Sequence, residues 1–352
     1  MAPSLLSVID FSSKTLNPKS TSWATTCNEV TRALEEHGVF IAKYDGAPQE
    51  VEDAVFNSLP DLYNLPIEVK RLNCSDTHHG YIGQLPLLPL YESFGLQNPT
   101  TEEGVEKFTK LMWPSGNGTF RYVRVFLSSL ELWMKEATAC TAVAVQIEDF
   151  GCGRGEVVDP GKVKIVVNVS KVCHITHCRS DASMIAKSYE IEEEYESLHK
   201  SMVHVLGIQK YATPQGNDGS PVGIGPHTDK SFFTILRERQ IGGLQIKTKD
   251  GDWIEVKPSP SSFIVIATDP FTAWTNGRIE GPCHRVIMKG DQERFSVSLF
   301  SFIKDLKIKT PQKLIDEEHP QLFKEFDHYK YVHYYMIEGN KSECPIKSYC
   351  GI

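Results

Sequence analysis

Apolar positions recur at two periods along this chain, helical in its first third and strand-like in its last. Trp23, Cys27, Val30 and Leu34 repeat at steps of three and four, which predicts a helix capped by Ser22 and ended by Gly38. Val8–Phe11 and Val39–Lys43 are short apolar runs with β-branched and aromatic residues, and read as strands. A second helix starts at Pro48, carries Val51, Val55, Phe56 and Leu59 on one face, and is broken by Pro60 and Pro66. Asn73 to Asn98 has many Gly, Pro and Tyr and few regular signals, so it reads as a long ordered loop. Glu102–Leu111 is helical, Trp113-Pro-Ser-Gly-Asn117 is a turn, and a long helix from Thr119 to about Ala139 turns Phe126, Leu130 and Trp133 inward.

From Val203–Tyr211 onward the texture changes. Thr234–Leu236, Leu244–Thr248, Asp252–Lys257, Phe263–Ala267, His284–Met288 and Phe295–Ile303 are strand candidates. Turn signals at Asp250-Gly251, Pro258-Ser-Pro260, Asn276-Gly277 and Lys289-Gly290-Asp291 separate them. Short strands with tight turns suggest a sandwich or a jelly roll. Pro311 to Met336 returns to helical texture.

Composition narrows the function classes. Lys and Arg number 37 against 45 Asp and Glu, a net charge of −8 with no basic stripe, which argues against a nucleic-acid partner. No apolar run approaches the length of a membrane span, and Met1–Asp10 has neither a basic start nor a long apolar stretch. Nine scattered cysteines, an odd count, then argue for reduced thiols in the cytosol. The expectation is a soluble cytoplasmic protein without a membrane or nucleic-acid partner, most simply a monomer.

The candidate chemistry sits in the strand-rich part. His227-Thr-Asp229 places an imidazole and a carboxylate two residues apart, and on a strand such residues share a face. His284, 57 residues on, supplies a second imidazole from another strand across the barrel. Two histidines and a carboxylate leave open positions on Fe(II). Ten residues later Arg294-Phe-Ser296 puts a guanidinium and a hydroxyl on one face, which suits the far carboxylate of a dicarboxylic acid. Tyr211 is placed to add a phenol hydroxyl.

At these residues the sequence resembles the plant 2-oxoglutarate/Fe(II) dioxygenase superfamily. Val8-Ile-Asp-Phe11, Ala33-Leu-Glu-Glu-His-Gly-Val-Phe40 and Leu65-Pro66 are similar to its N-terminal region. Gly225-Pro-His-Thr-Asp229, Gly243-Leu-Gln245, Asn276-Gly-Arg278, His284-Arg-Val286 and Arg294-Phe-Ser296 are similar to its catalytic core. More narrowly, His79-Gly-Tyr-Ile-Gly-Gln84, Pro89-Leu-Tyr-Glu-Ser93, Leu111-Met-Trp-Pro114, Thr228-Asp-Lys230, Ala273-Trp274 and Ser348-Tyr-Cys-Gly351 resemble the AOP-like branch, named for enzymes that modify glucosinolate side chains.

The resemblance implies an α+β fold with a double-stranded β-helix (jelly roll) core. It divides the chain into an N-terminal region, 1–115, a helical connector, 116–205, the jelly-roll core, 206–305, and a C-terminal helical segment, 306–352. By resemblance iron binds at His227, Asp229 and His284, and 2-oxoglutarate is held at its far end by Arg294 and Ser296 with Tyr211 beside them. Oxidative decarboxylation to succinate and CO2 then drives O2-dependent hydroxylation, desaturation or demethylation of a small metabolite of specialised or hormone metabolism. Ascorbate is a supporting reductant.

The chain departs from the family at about 141–183, roughly 40 residues that relatives lack. Within it Val163–Val172 is strand-like without a partner, and Cys173-His-Ile-Thr-His-Cys178 is too compressed for a zinc module. A surface insertion or an exon-boundary error accounts for the segment. Ala267-Thr-Asp269 stands where relatives carry Gly before the Asp, which alters a turn near the site. His78 and His79 border the pocket or face solvent, and Phe232, Phe233, Phe271 and Trp274 line it or fill the core. His319, His328, His333 and the Glu192-Glu-Glu194 run read as surface or packing residues. Two other functions share these motifs: a catalytically impaired paralogue acting as a binding protein, and an Fe(II) oxidase that does not use 2-oxoglutarate.

Overall fold

The computed structural model describes residues 6–11, 21–44, 49–75, 79–120, 123, 126, 181–214, 221–239 and 241–352. Helix α1 (Thr21–His37) follows strand β1 (Val8–Asp10) and ends where the sequence predicts. Gly38, at φ +67°, lets the chain reverse into β2 (Val39–Lys43). A Cβ there would lie 2.1 Å from the Glu280 carbonyl oxygen, so only glycine fits. Ser22 falls inside α1, one residue past its start, and not at the position before it.

Helix α2 (Gln49–Tyr63) passes through Pro60 and does not break there. The proline forfeits one backbone hydrogen bond, at a cost of about 3 kcal/mol. Val55, Leu59 and Leu62, each at most 1% exposed, are buried by the same turns, and Tyr63 Oη donates to the Ile208 carbonyl at 2.7 Å. That anchorage continues the helix to Tyr63. Pro66 then leads into the short α3 (Ile67–Lys70).

The expected loop over Asn73–Asn98 contains two strands, β3 (Ile82–Leu85) and β4 (Leu88–Gln97). Local signals miss them because β4 is held by its partner β5 (Met202–Tyr211), in register from Tyr91–Tyr211 to Gln97–Val205. Between β4 and β5 lie, among the described residues, α4 (Glu102–Met112), N-capped by Thr101, α5 (Asp181–Ser188) and α6 (Glu192–Lys200). Glu192, Glu193 and Glu194 occupy the first turn of α6, where acidic groups complement the helix dipole. The Thr119–Ala139 helix beyond Phe120, the 141–183 segment with its Cys173–Cys178 motif, and His78 lie outside the described residues, apart from Val123 and Phe126, which are buried, and Asp181–Ser183 in α5.

The remaining strands are β6 (Val222–His227), β7 (Phe233–Glu238), β8 (Leu244–Lys247), β9 (Trp253–Glu255), β10 (Ser262–Ile266), β11 (His284–Ile287) and β12 (Arg294–Ile303). They form two sheets, ordered β1-β2-β10-β7-β12-β5-β4-β3 and β6-β11-β8-β9. All pairs are antiparallel except β1–β2. This is the jelly-roll core of an α+β fold. Its strands alternate as the period of two requires: on β10, Phe263 and Val265 join the large core toward the helices, while Ile264 and Ile266 join a second cluster with Leu244, Ile246 and Val286 of the small sheet. Phe232, Phe233, Phe271 and Trp274 belong to the large core.

Pro311–Met336 is helical only in part. After β13 (Lys307–Ile308) and β14 (Phe326–Asp327), which pair with each other, α8 spans His328–Ile337 and α9 Pro345–Cys350, with α7 (Asp269–Trp274) earlier in the chain. His328, 1% exposed, ties α8 to the barrel: its Nδ1 accepts from Ile303 N–H at 2.9 Å and its Nε2–H donates to the Lys230 carbonyl at 2.7 Å. That pattern requires a neutral ring, and burial lowers its pKa to about 4. The unfolded chain therefore binds a proton near pH 6.5 that the folded chain refuses until about 4, so stability falls as pH drops through that window. Chemical unfolding at stepped pH will show this slope, and His328→Asn will make it shallower, with His204, lowered over the same window, still contributing.

Candidate functional site

The end of β6 and the start of β11 form the site. The two strands are neighbours in the small sheet, not partners across the barrel, and His284 pairs directly with His227. Their imidazole centroids stand 4.2 Å apart. Asp229 lies two residues past the end of β6, so strand alternation does not place it. A short loop does: the Asp229 carbonyl accepts from Asp269 N–H at 3.1 Å, and its Oδ2 accepts from the Thr234 hydroxyl at 2.7 Å. Asp229 Oδ1 then sits 3.7 Å from His227 Nε2 and 3.5 Å from His284 Nε2.

The ligand-type atoms of the three residues lie within 4.8 Å of one another, and no other such group of three occurs among the described residues. Each histidine has its Nδ1 at a backbone carbonyl, Gly225 at 2.9 Å and Pro282 at 3.1 Å. With Nδ1–H donated there, both Nε2 lone pairs turn toward the carboxylate, as a metal site requires. Burial, with His284 beside it, lowers the pKa of His227 to about 4 and keeps it neutral. Burial alone would raise the Asp229 carboxyl, but His284, His227 and Thr234 hold it well below the usual carboxylate range. Burial opposes protonation of His284 too, yet Asp229 outweighs it and raises its pKa. An ionised carboxylate drawing a proton onto a buried imidazole is a site whose charges call for a cation. The donor set fits a first-row divalent ion with open positions.

Lys230 braces the loop, with its ammonium on Asp269 at 2.8 Å, on the Thr228 carbonyl at 2.6 Å, and 4.1 Å from the Tyr335 ring centroid. Asp269 also accepts from Tyr331 Oη at 2.5 Å, so the altered turn at 267–269 is a packed, paired element. His79 packs its ring 4.2 Å from Phe302, at the opposite end of β12 from Arg294.

Arg294, fully buried, and Ser296 share the interior face of β12. Tyr211 pairs with Arg294 across β5, and its ring centroid lies 4.8 Å from the guanidinium carbon. Arg294 Nη1 donates to Ser296 Oγ at 3.2 Å, and Ser296 Oγ donates to Gln209 at 3.2 Å. The sequence-predicted residues thus form two groups, a His-Asp-His cluster and an Arg-Ser-Tyr cluster. Both are tied to β7, whose same-face residues Thr234 and Glu238 hold Asp229 and Arg294 respectively.

Glu238, Gln209 and Thr234 are not legible as site residues in the sequence. The available signal is the alternation of Thr234, Leu236 and Glu238 on a strand between buried neighbours, which puts a carboxylate inside and demands a cation for it.

Comparison with known proteins agrees with this geometry. Residues 204–303 match the family model of the 2OG-Fe(II) oxygenase superfamily, and 6–115 match that of the non-haem dioxygenase in morphine synthesis N-terminal region. The chain is 33% identical to the probable 2-oxoglutarate-dependent dioxygenase AOP1 of Arabidopsis thaliana, covering 96% of this chain and 98% of that one. It is 29% identical to the 2-oxoglutarate-dependent dioxygenase AOP3 of the same plant over 99% and 97%. Among solved structures, the rice dioxygenase for auxin oxidation superposes with a TM-score of 0.69 at 23% identity, over 94% of this chain and 95% of that one. That likeness speaks for the fold. Sequence kinship over nearly the whole length assigns this chain to the 2OG-Fe(II) oxygenase superfamily, in its AOP-like plant branch, as a 2-oxoglutarate- and Fe(II)-dependent dioxygenase.

Proposed function

We propose that His227, Asp229 and His284 hold the iron and that Arg294 and Ser296, with Tyr211 against them, receive the far carboxylate of 2-oxoglutarate, in the oxidation of a small plant metabolite by hydroxylation, desaturation or demethylation. The observation that carries this reading is the convergence of two backbone-anchored imidazoles and one carboxylate within 4.8 Å. Fe(II), when bound, supplies activation of O2 coupled to decarboxylation of the 2-oxo acid. This chain's residues hold and orient. Gly225 and Pro282 fix which imidazole nitrogen faces the metal, and Thr234 fixes the carboxylate. The β7 and β12 side chains keep the dicarboxylate end of the site dry, with Arg294 and Glu238 at 0% and 1% exposure.

The protein works in the cytoplasm in this reading, where an odd set of nine scattered cysteines stays reduced. The test is anaerobic purification with Fe(II), followed by succinate formation from 2-oxoglutarate on admitting O2. Iron near one equivalent together with succinate release is the expected result. A folded protein that retains no iron and forms no succinate would sink the assignment of these residues.

A further inference from the structure

The guanidinium of Arg294 is already engaged by a carboxylate. Glu238 Oε2 accepts from Arg294 Nε at 3.0 Å and also from Nη2, while Nη1 goes to Ser296. Both side chains are buried, and β7 and β12 set Glu238 within two residues of Arg294 in register, opposite Ser296. Glu238 Oε1 is buried and has no hydrogen-bond partner among the described residues. A carboxylate using one oxygen, with the other desolvated and idle, is a poorly satisfied anion. The charged and titratable groups around it are Arg294 on β12, Tyr211 on β5, Glu255 on β9 and Arg237 on its own strand, and Arg237 is bound to Glu52 at 2.6 Å. Burial holds the Glu238 carboxyl above its usual range despite Arg294 beside it.

Of the five N–H groups of Arg294, two go to Glu238, one to Ser296 and one to the Tyr211 hydroxyl, so one remains for a second carboxylate without displacing Glu238. Two anions on one buried cation leave a net negative charge that this interior cannot solvate. The relief available is a proton from solvent on Glu238. Its idle Oε1 can carry that proton, and the protonated acid then donates to a carboxylate rather than repelling it.

Resting on the reading of Arg294 and Ser296 as the dicarboxylate end, we infer that Glu238 is a built-in counter-carboxylate that shares Arg294 with the far carboxylate of the 2-oxo acid. A dicarboxylate therefore enters with uptake of about one proton and is only weakly preferred over a 2-oxo acid with an uncharged tail. Glu238 is a selectivity residue for the cosubstrate, and it sets affinity without touching the metal.

Calorimetric titration of the full-length protein, with Mn(II) replacing Fe(II) to prevent turnover, tests this at about pH 8, where free carboxylates are ionised. Buffers of different ionisation enthalpy give the proton count. 2-Oxoglutarate should bind wild type with uptake of about one proton, and 2-oxopentanoate, which has the same chain without the far carboxylate, with none and within about tenfold of the same affinity. In Glu238→Gln, 2-oxoglutarate should tighten by about tenfold or more, its proton uptake should vanish, and 2-oxopentanoate should stay within about threefold. Tight binding of 2-oxoglutarate by wild type without proton uptake, or an unchanged preference in Glu238→Gln, overturns the inference alone. No binding of 2-oxoglutarate by Mn(II)-loaded wild type overturns the cosubstrate reading as well. Should Glu238→Gln fail to fold, the wild-type proton count decides by itself.

Discussion

His227→Ala should retain iron at least about 100-fold more weakly than the unmodified chain, and succinate formation should fall with it. Loss of a group that merely orients a metal ligand costs about 10–100-fold, and His227 is proposed as a ligand itself. Its removal leaves Asp229 and His284, one carboxylate and one imidazole, too few to compete with water for a divalent ion under dilution. The change should be local, because His227 ends β6 and the backbone pairing of β6 with β11 does not involve its ring. Iron content after gel filtration and succinate formed per chain are the readouts. His319→Ala is the control, since His319 is exposed and bound only to Asp316 among its hydrogen-bonding side chains. Equal iron retention by His227→Ala and wild type would remove His227 from the site.

Arg294→Ala should lose succinate formation and also much of its stability. The Arg294–Glu238 pair is almost fully buried, so truncating the cation strands an anion inside the barrel. Breaking a buried pair by removing one partner costs about 3–5 kcal/mol, which for a chain of this size lowers the unfolding midpoint by about 5 °C. The double variant Arg294→Met with Glu238→Gln should recover most of that loss while 2-oxoglutarate-dependent turnover stays absent, separating the structural role of the guanidinium from its binding role. Arg239→Ala provides scale. Its pair with Asp53, at 2.6 Å, has side chains 25% and 39% exposed, so its loss should cost no more than about 1 kcal/mol. Equal midpoints for Arg294→Ala and Arg239→Ala would mean that Glu238 does not depend on Arg294.

Much of the site is legible in the amino-acid sequence. His227, Asp229 and His284 are readable as a metal set because the residue types and their order carry the chemistry wherever the backbone runs. Arg294 and Ser296 are readable because strand alternation puts them on one face. The geometry differs from what spacing alone implies. Asp229 is not on the strand with His227, and His284 comes from the adjacent strand. Both hold position through contacts beyond their own strand, the nearby Thr234 and the sequence-distant Asp269 for the first and β6 for the second.

Periodicity and turn chemistry by themselves determined α1, its glycine stop, β2, α4 and the strands β5 and β7 to β12, since those signals are local: an apolar period, a turn residue, a φ that only glycine adopts cheaply. Tertiary structure alone decided the rest. β4 is a strand because β5 pairs with it, and α2 outlasts Pro60 because its far turn is anchored on the sheet. Glu238 meets Arg294, 56 residues on in the chain, because β7 and β12 lie side by side in register. A single strand's pattern says that a carboxylate points inward. Which cation it meets there, and whether a cosubstrate must share that cation, depends on strand order and register, which form only when the barrel closes.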